Sequence, residues 1–353
     1  MKIIENAVRD GLFPGCVMEF FNGKEKVHSS VFGEAHRDML YDIASITKVL
    51  VSIATLRLVA MREISVDTKV SSILPFKKNG GIQEVTVWNT LTYTADFDLP
   101  ADLMEQGIHL LNDSGELRFY NEAKLRGEPG KRHRYGNPHA FVQGKVIEGV
   151  TGKKLPLALK ELVFDPLGFT HTTFEPPQDD FKMVAPTHRI DGSDWQYGIV
   201  QDPMSQKFLP EKVGIAGIFS TINDMSKLVW FLATGITIHH DEVIPHWLWE
   251  AMVSDQLRGH WFPDGVHRYG LGIDIPSEGY VPDPEFCRRG VFMSGASGPF
   301  IFAHPCWSGG SSHPRPVGGV ILCNTRRDIP DAKNKGRLFR RALVDTFLTE
   351  MKL

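Results

Sequence analysis

Cysteine is scarce in this chain: four in 353 residues, at Cys16, Cys287, Cys306 and Cys323, none within a C-x-x-C pair. That removes a thiol redox motif and a thiolate zinc site and leaves reduced, structural thiols. Excess charge is lacking too. Thirty-nine Lys and Arg against 42 Asp and Glu leave a net charge of -3, which gives nucleic acid no electrostatic purchase. No stretch reaches the roughly 18 consecutive apolar residues of a membrane span, and the longest approach, 45–61, is broken by Lys48 and Arg57. The first ten residues lack the apolar core and small-residue cleavage site of a secretory signal. The expectation is a soluble, cytoplasmic protein with no membrane partner. The G-x-S-x-G elbow, the phosphate loop and G-x-G-x-x-G are all missing, which argues against an α/β-hydrolase, a P-loop enzyme and a dinucleotide binder. Neither an internal repeat nor a low-complexity segment is visible.

What remains has the composition of an ordinary globular protein, 42% hydrophobic and 23% charged, with a length suited to two domains. Residues 3–12 read as a short helix. Strands follow at 16–21 and 26–32, joined by the hairpin dipeptide Asn22-Gly23. From Ser45 the apolar positions Ile46, Val49, Leu50, Ile53, Ala54, Leu56, Val59 and Ala60 cover most of a helix, which predicts that it lies buried between layers. Residues 63–209 change to short helical stretches broken by Pro and Gly turns. Further elements are a helix over 221–233, strands over 269–275, 291–293, 300–304 and 317–323, and a terminal amphipathic helix. Strands at both ends around a helical middle predict an α+β fold. One antiparallel sheet flanked by helices (1–62 with 210–353) would carry an inserted, mainly helical lobe (63–209), with the active site in the cleft between them.

Three short segments carry possible chemistry. Ser45-Ile46-Thr47-Lys48 places a hydroxyl and an amine one helical turn apart, within reach of each other. By itself such a tetrapeptide is more often a serine helix cap than a catalyst. Tyr135-Gly136-Asn137 offers a phenol able to shuttle a proton and an amide able both to donate and to accept. Met293-Ser294-Gly295-Ala296 is a small-residue strand edge that a substrate could approach closely. Weaker candidates are the basic run Lys131–Arg134, a solvated loop or an attractor of anions, and His239-His240-Asp241-Glu242, whose spacing suits a surface loop better than a metal. Trp195, Tyr197, Trp261 and Phe262 read as pocket lining or core, and the sequon at Asn112 as a chance match.

In their order and spacing the three segments resemble the serine β-lactamase and penicillin-binding-protein superfamily, in particular its class C-like esterase branch. Phe13-Pro14-Gly15, Asp42-Ile43-Ala44, 85–92, 164–169, 217–221 and Tyr269-Gly270-Leu271-Gly272 look like further landmarks along nearly the whole chain. The resemblance implies that Ser45 is acylated, that Lys48 with Tyr135 takes its proton, and that Asn137 orients Lys48 and the substrate. It also implies an oxyanion hole built from the backbone N–H groups of Ser45 and Ala296, on the strand edge formed by Met293, Ser294 and Gly295. The division of labour between Lys48 and Tyr135 stays open.

Where relatives carry Lys-Thr-Gly or His-Thr-Gly, this chain has Met293-Ser294-Gly295, and residues 91–96 read Leu-Thr-Tyr-Thr-Ala-Asp. Without a cation to hold a substrate carboxylate, the expectation is a serine hydrolase of small esters or amides, with weak or no β-lactamase activity. It would need no cofactor or metal and take a small-molecule acyl substrate as partner; the oligomeric state is not readable. The alternatives are an acyltransferase, peptide cyclase or thioesterase working through the same acyl-serine, and a catalytically idle ligand-binding homologue.

Overall fold

The computed structural model describes residues 2–78, 80–99, 113–177, 181–187, 196–207, 209–260, 262, 267–277, 286, 289–305, 315–324 and 332–350. Cys287, Cys306, Asn112, Trp195 and Trp261 lie outside the described residues. Helix α1 (Lys2–Arg9) gives way to strands β1 (Gly15–Asn22) and β2 (Glu25–Gly33). Their turn closes in two residues, Gly23 and Lys24, with Gly23 at φ 64° in the left-handed region that suits glycine. Next come β3 (Tyr41–Asp42), α2 (Ile46–Ala60), α3 (Val87–Leu91), β4 (Phe97–Asp98), α4 (Asp113–Glu122) and β5 (Lys124–Leu125). The chain continues through α5 (Asn137–Thr151), α6 (Leu155–Leu159), α7 (Pro203–Lys207), β6 (Phe219–Ser220), α8 (Ile222–Thr234) and α9 (His246–Val253). It finishes with β7 (Val291–Ser294), β8 (Phe300–His304), β9 (Val317–Cys323) and α10 (Ala332–Glu350).

Five strands form one antiparallel sheet in the order β2-β1-β9-β8-β7. Strand β1 is almost wholly buried because helices cover both faces of the sheet. Cys16, Met18 and Phe20 pack with Phe302, Phe339 and Phe347 beneath α1 and α10, while Val17 and Phe21 join the larger core around α2 and α8. This is the expected α+β sheet flanked by helices.

Every residue of α2 from Ile46 to Leu56 is buried, as its all-round apolar pattern predicts. Ser52 ties it to its neighbours: Ser52 Oγ donates to Gln143 Oε1 of α5 at 3.0 Å, and Gln143 Nε2 donates to the Thr90 carbonyl of α3 at 2.9 Å. A further core joins Val70, Val85, Phe97, Phe119 and Phe141 of the middle segment to Ile215 beyond it.

The segment expected as a strand over 269–275 is a tight reversal instead. Tyr269 and Asp274 face each other across an antiparallel bridge, and the Gly270 N–H donates to the Ile273 carbonyl at 2.9 Å. Gly272, at φ 84°, lies so close to α2 that a Cβ there would come within 2.0 Å of Ser52 Oγ. Two glycines turn the chain before a strand can extend.

Candidate active site

Ser45 occupies the N-cap position of α2, yet its side chain makes no capping hydrogen bond. Instead Lys48 Nζ donates to Ser45 Oγ at 3.0 Å and to the Ile215 carbonyl at 2.7 Å. Lys48 is 1% exposed. Burial lowers its pKa to about 8, with the carboxylate of Asp202 pulling the other way. About a tenth of the lysine is therefore neutral at pH 7, against a negligible share for an ordinary lysine.

The turn presenting the serine is held from below. Ala44 sits at φ 46°, a left-handed conformation that costs an alanine of order 1 kcal/mol or more. Fully buried Asp42 holds it there: Oδ1 accepts the Ala44 N–H at 2.9 Å and Oδ2 the Gln201 N–H at 2.8 Å. The pairing of β3 with β6 fixes Asp42 in turn.

The end of β7 docks on the same turn. A Cβ on Gly295 would lie 2.8 Å from the Ile43 carbonyl oxygen and 3.3 Å from Ala44 Cβ, so only glycine permits this approach. Ser297 Oγ donates to the Asp42 carbonyl at 2.8 Å. Ala296, exposed between these two anchors, is thereby carried alongside Ser45. The Ser45 N–H has no acceptor among the described residues, which suits one half of an oxyanion hole.

Tyr135 stands beside Ser45 and Lys48, with Lys48 Nζ 5.7 Å from its ring centroid. The residue keeps 42% of its surface exposed. Burial raises the phenol's pKa; the bond to Ser45 opposes the shift, and the nearby carboxylates of Asp274 and Asp202 add to it. At neutral pH Tyr135 is thus a protonated phenol. Tyr93 stacks on it at 4.9 Å between centroids, and Tyr269 meets Tyr93 edge-on at 5.1 Å.

Ser45, Lys48, Tyr135, Gly295 and Ala296 are brought together, but two expected roles need correction. Asn137 does not orient Lys48: its amide Nδ2 donates to Met204 Sδ of α7 at 3.5 Å, and Lys48's second partner is the Ile215 carbonyl. Met293 is not on the open edge of the strand. The pleat of β7 turns Val291 and Met293 inward and leaves Phe292 and Ser294 partly exposed, so Met293, 1% exposed, packs in the core around α2.

The basic run is partly neutralised, with Arg134 and Arg132 lying 3.1 and 3.9 Å from the buried carboxylate of Asp96. His239–Glu242 form an exposed turn, Phe262 is core, and Tyr197 is exposed.

Sequence reasoning missed Asp42, Tyr93, Asp202 and Asp274 as site-forming residues. Asp42 stood in a quoted landmark and Tyr93 in a noted departure; Asp202 and Asp274 gave no local signal. Asp202 precedes α7 and accepts the Ser205 N–H at 2.7 Å, leaving its charge within the field of Lys48 and Tyr135. Burial raises the carboxyl of Asp274 to about 7.

A family model described as Beta-lactamase matches residues 2–343. A protein of Salmonella enteritidis named a putative D-alanyl-D-alanine carboxypeptidase is 27% identical over 330 residues, covering 85% of this chain and 72% of that protein. An Escherichia coli protein of the same description is 25% identical over 221 residues, 56% of this chain, and the match spans about half (51%) of the relative's length. Among solved structures, EstCE1, described as a hydrolase with promiscuous acyltransferase activity, superposes with a TM-score of 0.74 at 20% identity, covering 96% of each chain. The octameric penicillin-binding protein homologue from Pyrococcus abyssi gives 0.73 at 20% identity, covering 97% of this chain and 76% of its own.

Proposed function

From a chain that belongs to the beta-lactamase family, we propose a hydrolase that acylates Ser45 with small esters or amides and releases the acyl group to water. The observation that carries this reading is the buried Lys48 amine 3.0 Å from Ser45 Oγ. In its neutral form Lys48 takes the hydroxyl proton as Ser45 Oγ bonds to the substrate carbonyl carbon. The oxyanion that forms meets the N–H groups of Ser45 and Ala296. Collapse breaks the bond to the leaving group, which receives a proton through Tyr135, whose raised pKa keeps it a donor. Water then attacks the acyl-serine, the same groups handle the proton in reverse, and the free serine returns.

Two experiments test this reading. Ser45→Ala is expected to abolish labelling by a fluorophosphonate probe, and stoichiometric labelling of the variant would refute the nucleophile. Short-chain aryl esters are expected to turn over faster than a chromogenic cephalosporin, because Met293 brings the edge strand no cation for a substrate carboxylate. The same reasoning disfavours peptides ending in a free carboxylate, despite the names of the curated relatives. Acyl transfer is the second reading, favoured by the description of the EstCE1 neighbour. Product analysis with an added alcohol or amine separates it from hydrolysis.

A further inference from the structure

Cys16, the second residue of β1, and Cys323, the last of β9, are register partners in the antiparallel ladder, although they are far apart in sequence. Cross-strand partners share a face. Here it is the face that α1 and α10 cover, since both thiols belong to the core of Met18, Phe302 and Phe347, and both are fully buried. Antiparallel partners stand about 4.5 or 5.5 Å apart at Cα, inside the window of about 4.4–6.8 Å that a disulfide spans. In this structure the two are free thiols. Each spends its hydrogen on a carbonyl: Cys16 Sγ donates to Val17 at 3.7 Å, and Cys323 Sγ donates to Gly298 at 3.5 Å. The second of these contacts leads to the candidate site. Gly298 closes the turn after β7: its N–H donates to the Gly295 carbonyl at 3.1 Å, and the Gly295 N–H donates to the Pro299 carbonyl at 2.7 Å. Ala296 lies within that turn, and Arg340 of α10 reaches the same Gly298 carbonyl at 3.4 Å.

We propose that Cys16 and Cys323 are a modification site, a dithiol that hydrogen peroxide converts to a cross-strand disulfide, and that this bridge acts on the turn carrying Ala296. One thiolate attacks the peroxide and breaks its O–O bond, giving a sulfenic acid and, after protonation, water. The second sulfur then displaces the sulfenic oxygen, which leaves as water, so two thiols and one peroxide become one disulfide and two waters. The bridge consumes the Cys323 S–H, and the Gly298 carbonyl loses that donor. Neighbouring Cys323 and burial both push the Cys16 thiol up, so the pair reacts slowly while the sheet is covered. Access comes by local opening: Ile4 is the one fully buried residue of α1, and lifting that helix gives up little packing. The cross-link does not depend on the acyl-serine reading; its effect on turnover rests on that reading, which takes the Ala296 N–H as an oxyanion donor.

The test treats the folded full chain with hydrogen peroxide, blocks remaining thiols with iodoacetamide in denaturant, and maps peptides by mass spectrometry without reductant. A pair of peptides joined through Cys16 and Cys323 is expected. Recovery of both as alkylated thiols, or their joining only to Cys287 or Cys306, overturns the proposal. The midpoint of the denaturant melt is expected to rise on oxidation, because the bridge constrains most of the unfolded chain, and to return with dithiothreitol, which reduces a disulfide but leaves methionine sulfoxide in place.

A second arm follows aryl-ester turnover through the same cycle. With the linked peptides present, kcat is expected to fall about two- to fivefold, the scale of one weak S–H hydrogen bond, and to recover with dithiothreitol. Cys16→Ala removes the bridge and leaves the Cys323 contact to Gly298 in place, so its turnover should not respond to the cycle. An unchanged kcat in the cross-linked native protein, or the same reversible loss in Cys16→Ala, refutes the action on the turn. If that variant does not fold, the peptide map and the dithiothreitol reversal of the native protein decide. A cross-linked protein that turns over no aryl ester in either redox state would count against the acyl-serine reading alone.

Discussion

At the scale of single residues the decisive quantity is the charge on Lys48. Its pKa of about 8 is depressed by burial, so the neutral, proton-accepting form grows as pH rises through that value. The acylation rate is expected to climb with pH, with an apparent midpoint near 8, in single-turnover measurements with an aryl ester. Asp202 raises that pKa, and its carboxylate also accepts the Ser205 N–H. Asp202→Asn keeps the acceptor and removes the charge, so the pH–rate profile should move to lower pH with the fold intact. A shift in the opposite direction would refute the electrostatic assignment. Lys48→Ala is expected to cost about 10²–10⁴ in acylation rate, as loss of a positioned base does. The serine–lysine pair was legible because an i, i+3 spacing in a helix is local chemistry. Asp202 and Asp274 were not, because their relation to Ser45 exists only once distant loops have folded together.

Elements show the same division. The β1–β2 hairpin, the buried helix α2 and strands β7 to β9 follow from period-two and period-3.6 patterns with a turn dipeptide, all signals confined to a few residues. The inward facing of Met293 was available in principle, since it alternates with Val291 on the buried side of β7. The likeness to a family motif drew attention to residue type rather than to the pleat. The 269–274 segment misled because Tyr269, Leu271 and Ile273 alternate like a strand while Gly270 and Gly272 close the turn. What these elements provide to the candidate site is rigidity. Tyr93 is held at φ 57°, its carbonyl accepts the Arg134 N–H at 2.8 Å, and its ring supports Tyr135. Tyr93→Ala is expected to destabilise the fold by about 3–5 kcal/mol in denaturant melts. Tyr93→Phe, which keeps the ring stack, should retain most of both stability and turnover. If the alanine variant melts like the native protein, the stack is not what positions Tyr135.

For the molecule as a whole, the family fold fixes where chemistry happens, and the side chains around it set what is admitted. The turn bearing Ser45, the end of β7 and the tyrosine stack converge from residues 42–48, 293–297 and 93–135, so their arrangement exists only in the closed tertiary structure. Gly295→Ala tests that convergence. Its Cβ would press on the Ile43 carbonyl oxygen, and turnover is expected to fall by about 10²–10³, the usual cost of a misplaced oxyanion donor. The sheet order carries a consequence for how the protein is made. Strand β1 lies between β2 and β9, with Cys16 opposite Cys323, partners separated by most of the chain. A ribosome therefore releases the hairpin and the helix bearing Ser45 long before the strand that completes their sheet has been synthesised. The nascent chain holds an unpaired edge for much of translation, which makes dependence on holding chaperones during expression an expected property of this topology.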